Sequence, residues 1–545
     1  MRRKETHPVF KPYVQNQLSL MPPRLDELVP EDHLVRVINR AIDQLDLEPL
    51  LKQYKGGGAS SFHPGMMLKV IVYAYSEKVY SSRRIAKALR ENVNFMWISG
   101  RSQPDFRTIN HFRSSRMKAV IDDVFASVME YLVEQGYVKL ENYFLDGTKI
   151  EANANKHKVV WEKRRAKYAG RLREKIRELL KEIDEVNAAE NAEYGDKDLA
   201  AMGGSGSGSG MDAAKLAAKM AELNRRLAEQ PENKPLKQAV KTIQKDYLPR
   251  MEKYEEQERK LAGRSSYSKT DEDAACMRMK EDRGAERPWP KPAYNVQVGT
   301  EDQFVVGFSI HQRAGDTSCM IPHLEQVQAR LGRLPQNIIT DAGYGSEENY
   351  DYVERHRLGN FVKYNTFHKE LQKHRKPELL RKKLFLAENF PYDQEQDEFT
   401  CPAHKRLTYR YTLRVKSDNG YVAQRREYEC AECAECPLRS ECTQAKGNRR
   451  IRISFRLQRF RAQARDNLQS PQGKDLRARR SVEVETVFGH SKHNMGLRRF
   501  MLRGKEKVHL ELGLHCIAHN MKKLCSKEQA KQAGLASNLQ KLAAG

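Results

Sequence analysis

Apolar residues in the first part of the chain recur every three or four positions, which is the spacing of one face of a helix. Such runs lie at 34–45 and 67–75, and shorter basic runs begin near residues 81 and 105. The pattern predicts an all-α domain over residues 1–120. Short helices with a polar, basic final member are typical of a helix-turn-helix-like DNA-binding module. A helical bundle used for dimerisation is the alternative.

Residues 156–265 have a different pattern, rich in charge and poor in aromatic residues. Apolar residues here alternate by four and three, which predicts two helical arms that pair through an a/d seam. A Gly/Ser stretch at 203–210 has the composition of a flexible tether between the arms. We interpret this insertion as a solvated coiled coil without chemistry of its own. The seam positions are Leu172, Ile176, Leu179, Ile183 and Val186 in one arm and Leu216, Met220, Leu223 and Leu227 in the other.

Much of the remaining sequence alternates short apolar runs with amphipathic segments, which predicts an α/β fold. The predicted strands are 294–297, 304–311, 337–340 and 361–364, and the predicted helices are 321–331, a helix after residue 346, 484–492 and 508–524. Together with the two regions above, these patterns divide the rest of the chain into three parts of an α/β core, a cysteine-rich segment and a flexible tail. Their bounds are 121–155, 266–395 and 448–525 for the core, 396–447 for the cysteine-rich segment and 526–545 for the tail.

Lysine and arginine number 97 against 72 acidic residues, which gives a formal net charge of +25. A charge of this size indicates an anionic partner, most commonly nucleic acid. The sequence contains no run of about 18 apolar residues, so no membrane-spanning helix is expected. The basic N-terminus lacks the apolar stretch of a secretion signal. We therefore expect a cytoplasmic protein that binds DNA and no membrane.

Three acidic residues are distinguished by their surroundings. Asp146 and Asp341 each end an apolar, strand-like run, and Glu485 lies in a predicted helix. An aspartate at a strand end suits a turn or a metal site, because carboxylate oxygens are ligands that Mg²⁺ prefers. Two or three such carboxylates can hold a pair of ions for in-line attack on a phosphodiester. The pattern predicts metal-dependent chemistry on nucleic acid, with Mg²⁺ or Mn²⁺ as cofactor.

An ordered set of motifs spans most of the chain outside the helical insertion. The motifs are Leu145-Asp146-Gly147-Thr148-Lys149, Ser268-Lys269-Thr270-Asp271 with Tyr294-Asn295-Val296-Gln297, Thr340-Asp341-Ala342-Gly343-Tyr344, Val484-Glu485 through Phe488-Gly489 to Lys492, and Gly496-Leu497-Arg498-Arg499-Phe500 with Arg503-Gly504. As a set, they resemble bacterial insertion-sequence transposases of the Asp-Asp-Glu (DDE) type, in the branch with an N-terminal helical domain and a cysteine cluster.

The resemblance implies an RNase H-like catalytic core, in which a mixed sheet is flanked by helices and Asp146, Asp341 and Glu485 are the metal ligands. Two other acids compete for these roles, Glu151 with Asp146 and Glu483 with Glu485. We prefer Glu485 because Lys492 follows it by two helical turns on the same face, where a lysine suits a phosphate contact, whereas Glu483 lies about 200° around the axis.

The family signature often places a tyrosine and an arginine shortly before the glutamate. At the corresponding positions this chain has Ala478 and Ser481, with Arg480 one residue away. The spacing from Glu485 to Lys492 fits the signature.

Five of the nine cysteines form a second constellation. Four of them follow a C-x2-C-x2-C-x5-C pattern, and the fifth lies shortly before. Zinc prefers four soft ligands in a tetrahedron, and C-x2-C turns present two thiolates to one ion. We expect a structural zinc knuckle held by four of the five; free thiols are the alternative. The candidates are Cys401, Cys430, Cys433, Cys436 and Cys442.

Basic residues are frequent after the cysteine cluster and in the last helix of the N-terminal domain. Clustered Lys and Arg neutralise phosphates without reading base sequence. The candidate DNA contacts are Lys492, Arg480, Arg498, Arg499, Arg503, Arg107 and Arg113.

The combined pattern predicts a DNA transposase that binds the terminal inverted repeats of its element, cleaves the DNA and joins the 3′-hydroxyl ends to target DNA. Because two ends must be brought together, a homo-oligomer of at least two copies is expected. The alternatives are a non-catalytic nucleic-acid-binding protein, such as an inactivated or domesticated transposase, a scaffold assembled through the helical arms, and a nuclease that cuts without joining ends.

Overall fold

The structure is a computed structural model in which two compact units are distinguished. One unit comprises the described residues up to Met117 and those from Met521, and the other extends from Lys118 to Asn520. The predicted Gly/Ser tether at 203–210 lies outside the described residues. The structure describes residues 24–54, 61–194, 211–279, 282, 289–371, 381 and 384–543.

The first unit is helical, which confirms the predicted helical N-terminal region. Its center is the apolar helix Pro64–Ser76, nearly all of which is buried. Arg113 is also buried, and its guanidinium donates to the backbone oxygen of Tyr80 at 2.7 Å. The helices are Leu34–Asp43, Glu48–Leu51, Pro64–Ser76, Ser82–Glu91, Val93–Ile98 and Phe106–His111, followed by a π-helical turn Phe112–Arg116 and the helix Met117–Glu134 that leads into the second unit.

The second unit is built on a six-stranded mixed sheet, which confirms the predicted mixed α/β fold. The long central strand β1 pairs antiparallel with β5 and parallel with β7, and β7 pairs parallel with β8. Strands β4 and β6 pair antiparallel with β5. The strands are β1 (Asn142–Glu151), β2 (Val159–Trp161), β3 (Ser266–Ser268), β4 (Ala275–Met277), β5 (Lys291–Glu301), β6 (Phe304–His311), β7 (Asn337–Thr340) and β8 (Gly359–Val362), of which β2 and β3 form a separate pair.

Helices cover the sheet. One face of β1 carries Phe144, which is buried with Ile339, Leu476 and Val484. Burial of large apolar side chains of this kind is the main stabilising contribution to such a core. The helices of this unit outside the insertion are Met320–Leu331, Glu347–Arg355, Phe367–Leu371, Arg439–Cys442, Phe455–Gln469, Pro471–Arg480 and Thr486–Gly489, with π-helical turns at Ser481–Glu485 and His490–Asn494.

The charged insertion forms a bundle with its own apolar core. Leu172, Ile176 and Ile183 of the first predicted seam and Leu216 and Leu223 of the second are buried in one cluster. Residues of two further helices join that cluster, so the insertion is more than the predicted pair of arms. The side chain of Val186 lies outside the described residues. The helices are Glu162–Tyr194, Ala213–Glu229, Lys234–Thr242 and Leu248–Leu261, with a π-helical turn at Ile243–Tyr247.

The cysteine-rich segment is larger and more regular than the small knuckle predicted for 396–447. It belongs to an antiparallel five-stranded sheet with an aromatic core that includes Phe399 and Tyr428. These strands were not recognised because most positions of the long strand β11 (Arg406–Lys416) are exposed, which leaves only a weak alternation of apolar and polar residues. The strands are β9 (Tyr392–Asp393), β10 (Glu398–Thr400), β11 (Arg406–Lys416), β12 (Val422–Cys430) and β13 (Arg450–Ile453).

The last helix extends from Lys505 to Ala543 and thus includes most of the predicted tail at 526–545. Residues 510–521 of this helix are all buried. Within the described ranges, every helix is too short or too polar to cross a membrane.

Candidate active site

Two of the three predicted acids are neighbours at the junction of two parallel strands. Leu145 of β1 lies opposite Thr340, the last residue of β7. Asp146 follows Leu145 and Asp341 follows Thr340. Because side chains alternate across a sheet, both aspartates belong to the face that carries Phe144. The register of the strands therefore brings together residues that are almost 200 positions apart in the sequence.

The Asp146 carboxylate is buried and is balanced by a cation. One oxygen accepts the backbone N–H of Gly147 at 2.7 Å. The other lies 3.3 Å from a guanidinium nitrogen of Arg480. A buried carboxylate requires such partners, since removing a charge from water is costly. Arg480 was predicted to contact DNA, and in the structure it is the counterion of a candidate metal ligand.

Asp341 is partly exposed and caps a short 3₁₀ turn. Its carboxylate accepts the backbone N–H of Gly343 at 2.8 Å. Beside it lies Lys363, which directly follows β8 just as Asp341 directly follows β7; Thr340 and Val362 are paired in parallel. Burial lowers the pKa of Lys363, the charge of Arg480 lowers it further, and the charge of Asp341 opposes that shift.

Lys363 is a functional candidate that the sequence interpretation missed. A signal was present, because the predicted strand 361–364 contains this one charged residue at its end. Ordering β1, β7 and β8 side by side would have placed Asp146, Asp341 and Lys363 along one edge.

Glu485 lies on a helical segment, Pro471–Asn494, that packs on the same face of the sheet. Its neighbour Val484 is buried in the cluster with Phe144 and Ile339, and the π-helical turn Ser481–Glu485 contacts β1 and β5. The Glu485 side chain is exposed. The segment is thus anchored over the aspartates while Glu485 remains accessible to solvent.

The side chain of Glu483, the competitor of Glu485, is buried and bonded to neighbouring groups of the protein. It is 5% exposed, accepts the backbone N–H of Gln303 at 2.7 Å and lies 3.4 Å from a guanidinium nitrogen of Arg479. Burial raises the pKa of its carboxyl group. These contacts commit Glu483 to the junction between its helix and the turn that joins β5 to β6.

Glu151, the competitor of Asp146, is likewise engaged. Its carboxylate lies 2.8 Å from the ammonium of Lys291. Its backbone N–H donates to Arg498 and its carbonyl accepts from Phe500. Glu151 therefore anchors the chain that follows the Glu485 segment to the end of β1.

A buried polar network lies on the opposite face of β1. Asp316 accepts from Asn295 at 2.7 Å and from Gln297 at 3.1 Å, and Tyr344 donates to the amide oxygen of Gln297. A Cβ at position 147 would stand 2.3 Å from the Gln297 amide and 2.5 Å from the Asp316 carboxylate, so only glycine fits there. Asp316 was not predicted, because it follows a loop without any strand-end pattern.

The three arginines that follow the Glu485 segment and were predicted to contact DNA are hydrogen-bonded to other groups of the protein. Arg499 donates to the carbonyls of Ala152 and Ala154, and Arg503 donates to that of Asn153 at 2.7 Å. Arg498 lies 2.8 Å from the His493 ring. These bonds fix the segment without using every donor of each guanidinium.

The other predicted DNA contacts differ in exposure. Lys492 is partly exposed on the π-helical turn His490–Asn494. In the first unit, Arg107 is exposed and lies beside the Phe106 ring. Arg113 is 5% exposed. Its guanidinium bonds to the Tyr80 carbonyl and the Asn110 side chain, while its Nε has no partner among the described residues. A DNA contact by Arg113 stays a prediction, and the structure shows this residue buried within the helical unit.

The five candidate zinc ligands line one small cavity of about 20 Å³. The backbone N–H of Arg449 donates to the sulfur of Cys433 at 3.3 Å. Burial, together with the neighbouring thiols Cys433 and Cys401, raises the pKa of Cys430 to about 11. Burial also raises the pKa of Cys442. All nine cysteines are free thiols.

The donor types at both places suit the expected metals, carboxylates for Mg²⁺ and thiols for Zn²⁺. In the part of the chain that the structure describes, no group of three or more His, Cys, Asp or Glu side chains is arranged to hold a metal ion. At the sheet, the two aspartates are adjacent, but one is paired with Arg480. The residues therefore have the donor atoms that these metals prefer and lie near one another. Among the described residues, however, their side chains are not arranged as a complete set of ligands.

Two family models match parts of the chain. Residues 400–525 match the family model described as a transposase DDE domain. Residues 23–115 match a second model, described as a transposase domain (DUF772). The two matches together span less than half of the chain, and the first includes Glu485 and the five cysteines but neither aspartate.

The class defined by the fold and by these matches is a DDE-type enzyme with an RNase H-like core. Both matched domains are transposase domains, which supports a DNA transposase function and, more narrowly, an insertion-sequence transposase. No curated protein and no solved structure gives a significant match to the chain.

Proposed function

We propose that this transposase binds the terminal inverted repeats of its own element, cuts the DNA next to them and joins the freed 3′-hydroxyl ends to target DNA. The observation that carries the proposal is the strand register that places Asp146 beside Asp341, on the face against which the Glu485 segment packs. Carboxylates in such a cluster are the donors that phosphodiester chemistry requires.

Asp146, Asp341 and Glu485 would hold Mg²⁺ or Mn²⁺. Bound in this way, the metal would stabilise charge on the reacting phosphate and favour deprotonation of the attacking water or hydroxyl. The protein itself supplies cations at the same edge. Lys363 and Arg480 are placed to neutralise the phosphate, and Lys492 to hold the DNA backbone nearby.

Arg480 has a second role in this proposal. While no DNA is bound, its guanidinium balances the buried charge of Asp146. When a phosphate and divalent metal enter, the same guanidinium is free to turn to the phosphate, with which arginine forms strong, directional bonds. The ion pair thereby keeps the site folded before substrate arrives.

We also propose that four of the five clustered thiols hold a structural Zn²⁺. The support is their common cavity and the raised thiol pKa values of Cys430 and Cys442. Neutral thiols attract one another only weakly, so their proximity alone adds little stability. A zinc ion would displace their protons and bind the resulting thiolates. The role is to hold the end of the five-stranded sheet.

The cleavage proposal is tested with Asp146→Asn and Asp341→Asn, and with Glu151→Gln as the matched control. Glu151 is an acid on the same strand, but Lys291 engages it. The substrate is an end-labelled DNA fragment that carries the inverted repeats of the element, incubated with Mg²⁺. We expect nicking and strand transfer by the wild type and by E151Q, and neither by the aspartate variants, while all four proteins bind the fragment.

Cleavage by either aspartate variant at the wild-type rate would refute the assignment. A wild-type protein that binds the fragment but cuts nothing would favour the alternative, a non-catalytic DNA-binding protein. Nicking without strand-transfer products would indicate a nuclease. Because strand transfer requires two ends, we propose a homo-oligomer of at least two copies, and the mass of the protein–DNA complex tests that.

A further inference from the structure

A large groove opens between the core sheet and the tip of the hairpin formed by β11 and β12. Its volume is about 990 Å³. Its walls are the loop after β6, the residues from Gly345 onward that follow the Asp341 turn, the hairpin tip and the helix Phe455–Gln469. We call it the ribbon groove. Gly345 ends the short turn that Asp341 caps, so one wall begins at the far end of that turn.

The lining of the ribbon groove is predominantly cationic. Its walls contain five basic side chains and three acidic ones, so an anionic occupant is favoured. One of the acids, Glu347, is already engaged, since it accepts from Tyr421 at 3.2 Å and from Ser454 at 2.7 Å. The basic residues come from four separate elements and converge on one space.

Two of these cations are not committed to the protein. Lys416 and Arg425 are exposed, and the described part of the chain gives neither side chain an ion pair. A third cation, Arg461, lies over the Tyr364 ring. The Nε of Arg461 is buried and lacks a hydrogen-bond partner among the described residues. A buried donor of this kind is costly unless a ligand or water satisfies it. By contrast, Arg264 is engaged by the carbonyls of Leu261 and Glu272.

The hairpin tip is fastened across the groove. Arg313 donates to the Asn419 side chain at 2.9 Å, and Asn419 donates to the carbonyl of Ser318 at 3.3 Å. The loop that receives the tip also carries Asp316, which is bonded to Asn295 and Gln297 beside β1. The groove is therefore preformed and connected to the scaffold of the active site.

We propose that the ribbon groove holds the sugar–phosphate backbone of one DNA strand next to the Asp146–Asp341 site; this rests on the proposed function. Cations without a matching set of aromatic rings recognise phosphates rather than stacked bases. The volume of about 990 Å³ has room for a few nucleotides of one strand. Binding here is expected to be independent of base sequence.

The test compares the full-length wild type with K416Q/R425Q. The matched control is Arg414→Gln, an exposed arginine on the same hairpin that does not line the groove. Affinities for a fluorescent single strand, the same sequence as a blunt duplex, and a duplex with a single-stranded overhang are measured by anisotropy from low to high salt. Thermal melting checks that each variant is folded.

We expect K416Q/R425Q to bind the single strand and the overhang about tenfold more weakly at low salt. The slope of log affinity against log salt should fall by about 0.7 for each lost contact. R414Q and the blunt duplex should show much smaller changes. Wild-type affinity and slope for K416Q/R425Q, or an equal loss in R414Q, would overturn the proposal. A larger effect on the blunt duplex would overturn the single-strand assignment.

The outcome is separable from the test of cleavage. If the wild type binds but never cuts, the proposed function fails whatever the groove variants show. If the wild type cuts and K416Q/R425Q keeps wild-type affinity and salt dependence, only the groove assignment fails.

Discussion

The aspartate edge of the core sheet and the cysteine cavity of the five-stranded sheet were both predicted to bind metal, and the structure builds them differently. At the sheet edge, the backbone register fixes Asp146 beside Asp341, and Arg480 already balances one carboxylate. In the cavity, five thiols from turns and strand ends share a small space that Lys405, Arg439 and Arg449 also line. The charge of Asp146 is thus balanced in an ion pair, whereas burial raises the pKa of the Cys430 and Cys442 thiols.

The difference fits the roles proposed for the two metals. A catalytic cation would come and go with substrate, so a protein cation in its place would keep the metal-free site stable. A structural Zn²⁺ would stay bound, and the free energy of binding would then be part of folding. The predictions below test this contrast, from the largest expected effect to the smallest.

The strongest test separates Glu485 from Glu483. Replacing Glu485 by Gln removes a proposed metal ligand and should cost several kcal/mol of transition-state stabilisation, which is about a thousandfold in cleavage rate. Because the Glu485 side chain is exposed, the melting temperature should not change. Cleavage kinetics and thermal melting on one preparation measure both quantities.

Glu483→Gln is the matched control and should have the reverse profile. It weakens the buried contacts to Gln303 and Arg479, so stability falls, while the folded fraction still cuts. If E483Q abolished cleavage and E485Q did not, the roles of the two glutamates would have to be exchanged.

Cys433→Ser should affect stability more than chemistry. The variant removes a thiol that is buried and bonded to the Arg449 amide, so we expect zinc to be lost and the β9–β13 sheet to unfold at lower temperature. Cys276→Ser, a buried cysteine outside the cavity, should keep its zinc. Metal content by mass spectrometry and melting with and without a chelator provide the comparison; equal zinc in both variants would exclude Cys433 as a ligand.

Arg480→Gln should moderately strengthen the binding of Mn²⁺ and moderately weaken the binding of DNA. Without the guanidinium, Asp146 no longer has a competing cation, so Mn²⁺ should bind about tenfold more tightly, in proportion to one charged hydrogen bond. DNA should bind more weakly, because a phosphate contact is lost. Lys474→Gln, an exposed cation on the same helix, is the control for charge alone. Calorimetry with Mn²⁺ would contradict the ion-pair role if R480Q bound the metal less tightly.

The smallest expected effect concerns pH. Burial raises the pKa of Glu483 above its ordinary value of 4.5, so the folded state favours the protonated form. Its contribution to stability is complete below pH 4.5 and is lost as the pH rises through the raised pKa. Urea unfolding at several pH values should therefore show a steeper decline for the wild type than for E483Q across that interval. Parallel curves would show that Glu483 does not couple folding to pH.

Much of the core could be predicted because its apolar runs have clear periods. The strands at 304–311 and 337–340 and the helix near 321–331 agree with the structure. Asp341 directly follows β7, as expected, whereas Asp146 lies within β1, which continues to Glu151. The preference for Glu485 over Glu483 came from the position of Lys492, and the burial of Glu483 is consistent with it.

The sheet around the cysteines could not be predicted in the same way. Most positions of β11 are exposed, so its alternation of apolar and polar residues is weak, and the cysteines drew the interpretation toward a small knuckle. The burial of Arg113 could not be predicted, because a basic residue on a short helix has the same sequence pattern whether it faces solvent or a carbonyl. Asp316 and the ribbon groove depend on loops that only the tertiary structure brings together.

The helical insertion leaves the core at β2 and returns at β3, and these two strands pair side by side, with Val159 opposite Ser268. The chain thus leaves the core and returns to it at one place. Since the entropy of closing a loop grows only slowly with its length, the insertion between these strands can be lengthened, shortened or exchanged at little cost to the core. The β2–β3 pair is therefore a suitable position for inserting a foreign domain into this protein.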